Sequence, residues 1–238
     1  MEPEAAGTVL AFDNPWQIAA LIAATVTLRL FSAYTGFFDL HDTLRNWRAG
    51  ILEFIDSLLI ALLLVFCVLR PFVIQAFFIP SGSMLPTLQI NDRILVNKFI
   101  YHFSDPEPGD IVVFRAPPAA DHLDRDFIKR VVGTPGDRIS IHDGYLYRNG
   151  EKIVESYIAE RPRYRWPRDA TGQPASITVP ERELIVLGDN RNVSNDSKSW
   201  GAVNSRGQIE HRPFLPIENV RGEAVFIFYP FSRIRLVR

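Results

Sequence analysis

The chain has 238 residues with 26 basic and 27 acidic side chains, a size that suits one domain with additional segments. Its net charge of −1 gives no electrostatic basis for binding nucleic acid. The single cysteine, Cys67, excludes an internal disulfide framework, and the five scattered histidines lack the spacing of zinc ligands, so we expect no metal site.

Two apolar segments come first in the chain. Trp16 to Phe38 is apolar but contains Arg29, which makes it the weaker membrane span. Residues 51–71 include the uninterrupted apolar run Leu58 to Leu69 and are long enough to cross a bilayer, which takes about 20 residues. A helix buried in a soluble core is the alternative interpretation of this second segment.

Charges beside these segments predict an orientation and a division of the chain. The first 15 residues contain no Lys or Arg, unlike the start of a cleaved signal peptide. Arg45 and Arg48 lie between the segments, so the positive-inside rule places that loop in the cytoplasm. We therefore expect an N-terminal segment with a first span and a cytoplasmic loop, a transmembrane helix and an extracytoplasmic domain, at residues 1–50, 51–71 and 72–238.

Strand signals dominate from residue 72 to the end. Short β-branched and aromatic stretches alternate with turn signals at Arg93–Ile100, Asp110–Ala116, Asp126–Gly133, Arg138–Gly150, Leu184–Asn190 and Glu223–Phe231. Asp143-Gly144 and Asn149-Gly150 predict tight hairpins. We expect a mainly β protein, with a barrel-like all-β domain after one or two transmembrane helices. The Arg- and Pro-rich residues 161–176 predict an exposed loop or a small excursion.

The stretch FFIPSGSMLPTL, residues 77–88, places two serines in a turn directly after an apolar segment. Gly82 lets the backbone turn sharply, and prolines stiffen both sides. A serine in a turn is ordinarily only a turn residue. As a nucleophile it needs a base, and no histidine lies in or near this stretch.

Residues 126–133, DFIKRVVG, supply a different base. Side chains alternate along a strand, so Phe127, Lys129 and Val131 share one face, while Arg130 lies on the other. Desolvation between apolar neighbours lowers the pKa of a lysine, which is the condition for a general base. The alternative interpretation is a lysine that extends to solvent from a strand edge.

Four motifs then occur in order after an apolar helix: PSGSMLPTL, PGDIVVF, FIKRVVGTPGD and GDNRNVSNDSKSWG. Together they resemble the four boxes of the type I signal peptidases, membrane-anchored Ser/Lys endopeptidases that remove signal peptides from exported preproteins. The resemblance covers residues 77–201, with a weaker match in VRGEAVFIFY near the end. Two spans with the N-terminus outside also resemble the Gram-negative version.

The resemblance implies a role for each residue of the motifs. Ser83 would be the nucleophile and Lys129 its general base. Ser81 would lend its hydroxyl to the oxyanion hole beside the Ser83 backbone N–H, and Ser194 would hydrogen-bond near the Lys129 amine.

It also implies charge pairs around these groups. Asp189 would pair with Arg130, and Asp196 would lie in the same loop network with Arg191 or Lys198. Lys198 stands where the family commonly has arginine, so a two-pronged guanidinium–carboxylate contact is impossible there.

Substrate selection follows from the same resemblance. Family positions that line shallow S1 and S3 pockets correspond to Phe77, Ile79, Met84, Leu88 and Ile128. Small apolar pockets select small side chains, hence Ala-X-Ala before the cut. One methylene is worth only about 1–3 kcal/mol of discrimination, so we expect the membrane to help by presenting the substrate.

The expected partners are preprotein signal peptides and membrane lipid, with no cofactor. The expected location is the bacterial cytoplasmic membrane, with the catalytic domain on the outer, periplasmic side of a multi-pass protein. Three alternatives stay open: a self-cleaving repressor, which is soluble; a membrane-tethered β-domain that binds peptides or lipids without chemistry; and a mitochondrial inner-membrane peptidase.

Overall fold

The computed structural model describes residues 7–8, 23–27, 30, 42–65, 74–121, 123, 125–169, 171–200, 202–203, 209–210 and 212–237. The chain divides into two compact units, one of Leu10–Gln75 and one of Met1–Val9 with Ala76–Arg238. Most of the apolar segment Trp16 to Phe38 lies outside the described residues, and so do residues 66–71 of the second predicted span.

The first unit contains helix α1, Asp42–Leu64. The helix begins nine residues before position 51, so residues 42–50, expected in the loop between the two apolar segments, are helical. Strong helix formers such as Leu44, Arg45 and Ala49, with no proline among them, allow the helix to extend in this direction. Among the described residues, no helix combines the length and the apolar character needed to cross a bilayer.

Strands are the main secondary structure of the second unit, which confirms the prediction of a mainly β protein. They are β1 Gly7–Thr8, β2 Ile74–Phe78, β3 Arg93–Asn97, β4 Ile111–Arg115, β5 Asp126–Gly133, β6 Arg138–His142, β7 Tyr145–Arg148, β8 Glu151–Lys152, β9 Ile177–Thr178, β10 Glu183–Leu187, β11 Ala202–Val203, β12 Ile209–Glu210, β13 Leu215–Pro216, β14 Val220–Tyr229 and β15 Arg235–Leu236. Short 3-10 helices occupy Ile100–His102, Ile217–Asn219 and Phe231–Arg233.

The largest sheet of the described residues has the order β1-β2-β3-β14-β4-β5-β10-β13, with β15 also paired to β14. No ladder joins its two end strands within the part of the chain that the structure describes, so the sheet is open where a barrel was expected. A second sheet has the order β8-β7-β6-β9, and β11 pairs with β12.

The two predicted hairpin turns are present. Asp143 and Gly144 have φ angles of 53° and 79° between β6 and β7, and Asn149 and Gly150 have 56° and 85° between β7 and β8. Positive φ at both central positions is what a tight hairpin turn requires, and Asn-Gly and Asp-Gly tolerate it best. The residue pairs seen in the sequence therefore determine these two reversals.

Strand β5 lies between β4 and β10 and contacts three buried clusters. Ile128 belongs to the first cluster, Phe127 and Val131 to the second, and Val132 to the third. Residues 161–176 are not simply an exposed loop, because Trp166 is buried in the third cluster. The strand that carries the predicted lysine thus has apolar packing on both of its faces.

Candidate active site

Ser83 and Lys129 meet inside the second unit, although 46 positions separate them in the sequence. Lys129 Nζ lies 2.9 Å from Ser83 Oγ, and the two residues are 0% and 5% exposed. The Ser81 hydroxyl lies 3.4 Å from that of Ser83 and donates to it. The Lys129 amine is also 5.3 Å from the centre of the Phe127 ring. The arrangement is a hydroxyl and an amine in direct contact, shielded from solvent.

The turn that carries Ser83 is held in place from several directions. Ile79 donates its backbone N–H to the Asp92 carbonyl at 3.0 Å, and Leu88 donates to the Met84 carbonyl at 2.9 Å. A side chain at position 82 would bring its Cβ within 2.9 Å of the Leu85 side chain, so the glycine lets the turn close tightly. These bonds fix the backbone on both sides of the nucleophile position.

Asn190 joins this turn to the loop that follows β10. Its side-chain amide donates to the Gly82 carbonyl at 3.0 Å, and its backbone N–H donates to the Ser83 carbonyl at 3.0 Å. The sequence analysis did not single out Asn190, since an asparagine in an Asn-, Asp- and Ser-rich loop is typical of any turn. The structure shows that this residue fastens two of the motifs to each other.

The residues expected to line substrate pockets are together in the first cluster. Phe77, Ile79, Met84, Leu88 and Ile128 are each at most 2% exposed. They form one apolar layer. Phe77, Ile79, Met84 and Leu88 are close to Ser83 in the sequence, and Ile128 is next to Lys129 on β5.

Arg130 occupies the opposite face of β5 from Lys129. Its Nε and Nη2 donate to the two carboxylate oxygens of Asp189 at 2.8 Å each, and its Nη1 donates to the Gly109 carbonyl at 2.7 Å. Asp189 also accepts a bond from the Thr87 hydroxyl at 2.5 Å, a contact that sequence reasoning missed. The expected Arg130–Asp189 contact is therefore present, and it ties β5 to the turn that follows Ser83.

Of the two partners expected for Asp196, the structure pairs it with Lys198. The Lys198 amine lies 3.0 Å from both Asp196 carboxylate oxygens and donates to the Ser194 carbonyl at 2.6 Å. Asp196 also accepts the Gly188 backbone N–H at 2.9 Å.

Arg191 instead pairs with Glu155, which sequence reasoning missed because it lies 36 residues away in a stretch without a motif. Two bonds of 2.6 and 2.5 Å join the side chains, which are 0% and 3% exposed. Burial acts to lower the pKa of Arg191, but hydrogen bonds and charge from Glu155 offset this and leave the pKa raised. The guanidinium is therefore a permanent buried cation.

Ser194 differs from its expected arrangement. Its hydroxyl is buried and makes no hydrogen bond, although a bond near the Lys129 amine was expected. A Cβ at Gly188 would overlap both this hydroxyl and the Ser83 carbonyl oxygen, so the two atoms lie on the same side of Gly188. Ser194 is thus close to the turn that carries Ser83. Because glycine at position 188 has no side chain, it leaves room for both of these atoms.

None of the residues that the structure describes form a group of three or more His, Cys, Asp or Glu side chains able to hold a metal ion. What the structure does bring together is a serine hydroxyl and a lysine amine, with the ion pairs Arg130–Asp189 and Arg191–Glu155 in the same unit.

Comparison with known proteins gives one consistent family. The sequence matches the family described as signal peptidase, peptidase S26, over residues 51–229. A Synechocystis protein named "Probable signal peptidase I-1" is 42% identical over 185 residues, which is 76% of this chain and 84% of the relative. Signal peptidase I P from Bacillus subtilis subsp. natto is 33% identical over 196 residues, or 82% of this chain and 97% of the relative. A crystal structure of a signal peptidase I from Enterococcus faecalis is 28% identical and covers 50% of this chain and 97% of that chain, with a TM-score of 0.37.

Proposed function

The chain belongs to the signal peptidase family, peptidase S26, and from this premise we propose that it is a Ser/Lys endopeptidase that removes signal peptides from exported preproteins. In this proposal Ser83 is the nucleophile and Lys129 is its general base. One observation carries it, the 2.9 Å contact between the Ser83 hydroxyl and the Lys129 amine in a position closed to solvent.

The first step is acylation of Ser83. Apolar neighbours such as Phe127 and Val131 disfavour the charged ammonium, which favours the neutral amine that a base requires. Neutral Lys129 takes the hydroxyl proton as Ser83 Oγ attacks the scissile carbonyl. The proton then passes from Lys129 to the leaving amine, and the signal peptide remains as an ester on Ser83.

The oxyanion of the tetrahedral intermediate needs donors at the place where its charge develops. The Ser83 backbone N–H and the Ser81 hydroxyl fill this role in the proposal. Support comes from the 3.4 Å spacing of the two hydroxyls, which puts Ser81 beside the reacting atom. Lys129 then activates a water molecule, which hydrolyses the ester and restores Ser83.

Substrate choice is proposed to depend on the apolar layer of Phe77, Ile79, Met84, Leu88 and Ile128. Each of these side chains is at most 2% exposed, so together they offer little surface to a peptide. In this proposal only a small side chain such as alanine is accommodated there, so cleavage follows Ala-X-Ala.

We also propose that the protein is anchored in the bacterial cytoplasmic membrane, with the catalytic domain of residues 72–238 on the outer side. The support is the apolar sequence of residues 51–71 and the basic residues Arg45 and Arg48 that precede it. Membrane lipid then contacts the enzyme and brings it close to the signal peptide of its substrate.

A cleavage assay with the full-length protein in detergent tests the reaction. Incubation with a separate preprotein should yield a new mature N-terminus directly after an Ala-X-Ala sequence, and neither Ser83→Ala nor Lys129→Ala should produce it. Cleavage of a separate substrate excludes a domain that only binds peptides, and an enzyme that cuts only its own chain would refute the proposal.

Matched variants control for loss of folding. Ser104 and Lys152 are exposed residues of the same two types in the same unit, so Ser104→Ala and Lys152→Ala should keep wild-type rates. Equal losses in these variants and in the Ser83 and Lys129 variants would remove the assignment of the two residues.

A further inference from the structure

Two residues of the segment between β8 and β9, Glu155 and Tyr157, contact Arg191 in the loop that follows β10. The Glu155 carboxylate binds both terminal nitrogens of Arg191 and accepts the Tyr157 hydroxyl at 2.7 Å. The Tyr157 ring centre lies 3.9 Å from the Arg130 guanidinium carbon and 5.9 Å from that of Arg191. Burial, and next the charge of Glu155, raise the pKa of Tyr157, so its hydroxyl stays a donor.

Arg191 transmits this contact to the backbone beside Ser83. Its Nε donates to the Gly188 carbonyl at 3.1 Å, while Asp196 accepts the Gly188 N–H at 2.9 Å. The Gly188 peptide groups are therefore held from two sides. Gly188 itself is so close to the Ser83 carbonyl that a Cβ there would stand 2.5 Å from that oxygen. Any movement of Gly188 thus changes the space next to Ser83.

We infer that Glu155 is a positioning residue for the reaction, because it holds Arg191 and, through Arg191, the Gly188 backbone against the Ser83 turn. This inference rests on the proposed function of Ser83 and Lys129. Glu155 belongs to none of the four motifs, yet its side chain is only 3% exposed and lies against Arg191, which is part of the fourth. Without its carboxylate, a buried cation would remain uncompensated and would move toward water.

The experiment compares Glu155→Gln with two other carboxylate variants of the full-length protein. Glu155→Gln should lower kcat by about 10–100-fold, since misplacement by about 1 Å has costs of this order. KM should change little, because Glu155 itself does not contact the substrate. Glu155→Asp keeps the charge and should recover part of the rate. Glu151→Gln, an exposed position on β8, should match the wild type.

A second readout is independent of activity. Amide hydrogen exchange should become faster in Glu155→Gln at Asn190 and Ser194, whose N–H groups donate to the Ser83 and Asn190 carbonyls at 3.0 and 3.1 Å. The rate is divided by the amount of enzyme whose Ser83 reacts with a serine-acylating probe, so that unfolded protein is excluded from kcat. A merely structural role would lower the labelled fraction and leave kcat per labelled site unchanged.

Faster exchange together with a lower kcat and an unchanged KM supports the inference. Unchanged exchange, or an unchanged kcat per labelled site, overturns it. A wild-type protein that cleaves no preprotein would refute the proposed function instead, and the exchange result would still decide whether Glu155 holds the loop.

Discussion

Lys129 and Arg130 are neighbours on strand β5, but the two faces of this strand surround their side chains with different groups. On one face, Lys129 lies between apolar residues and contacts the Ser83 hydroxyl at 2.9 Å. On the other face, Arg130 donates two hydrogen bonds to the carboxylate of Asp189 and packs on the ring of Tyr157. Both side chains are at most 2% exposed.

In the proposed function, one strand thus holds a reactive amine next to a cation that only stabilises the fold. A guanidinium stays charged under all ordinary conditions, and a paired carboxylate suits it. An ammonium in an apolar setting loses its proton far more easily, and its contact to a hydroxyl is then useful chemically. The alternation of side chains along β5 keeps the two environments separate.

The largest difference between the two faces of β5 is expected when the two cation types are exchanged, in Lys129→Arg and Arg130→Lys. Lys129→Arg should lower kcat by about 10²–10⁴-fold, as much as Lys129→Ala, because arginine cannot act as a base. Arg130→Lys keeps a cation beside Asp189 and should retain measurable cleavage. Single-turnover kinetics of preprotein cleavage measures the rates of both variants.

The pH dependence sharpens the same prediction. A general base works only when unprotonated, so kcat/KM of the wild type should rise with pH through the pKa of this base. Arg130→Lys should show the same rise. An active Lys129→Arg enzyme that cuts at the same bond would eliminate lysine as the base.

The next largest effect is expected at Ser81, on the Lys129 side of the comparison. Ser81→Ala removes the proposed oxyanion donor and should lower kcat by about 10²–10³-fold with little change in KM, because the bond would strengthen in the transition state. Ser81→Thr keeps a hydroxyl and should lose less. Full activity of Ser81→Ala would assign this serine to the turn alone.

The two faces of β5 also differ in how far the sequence predicts them. Alternation within residues 126–133 is a local property, so the separation of Lys129 from Arg130 follows from the order of the residues alone. The pairing of Arg191 with Glu155 does not follow from the order of the residues, because Glu155 comes from a distant segment whose path depends on tertiary packing. The two hairpin turns and strands β3 to β7, β10 and β14 were predictable for the same local reason, whereas short strands such as β9 and β13 and the start of α1 at Asp42 were not predicted.

On the Arg130 face, the expected loss is in stability more than in rate. Asp189→Asn removes one partner of a buried ion pair, which typically costs about 3–5 kcal/mol. The variant should unfold at a clearly lower temperature in detergent, and its kcat per folded enzyme should fall less than that of Lys129→Arg. Glu151→Gln is the exposed carboxylate control. Equal unfolding temperatures for the wild type and Asp189→Asn would contradict a stabilising role for the pair.

The smallest effect is expected at Ser194. Its hydroxyl is buried without a hydrogen-bond partner, so Ser194→Ala removes an unsatisfied group and should leave the unfolding temperature unchanged or slightly raised. If the hydroxyl comes into contact with the Lys129 amine during the reaction, kcat should fall, but less than in Lys129→Ala, because Ser194 only orients the base. Thermal unfolding and cleavage kinetics of the same preparation separate these effects. A fall in unfolding temperature comparable to that of Asp189→Asn would show that this hydroxyl is bonded in the folded enzyme.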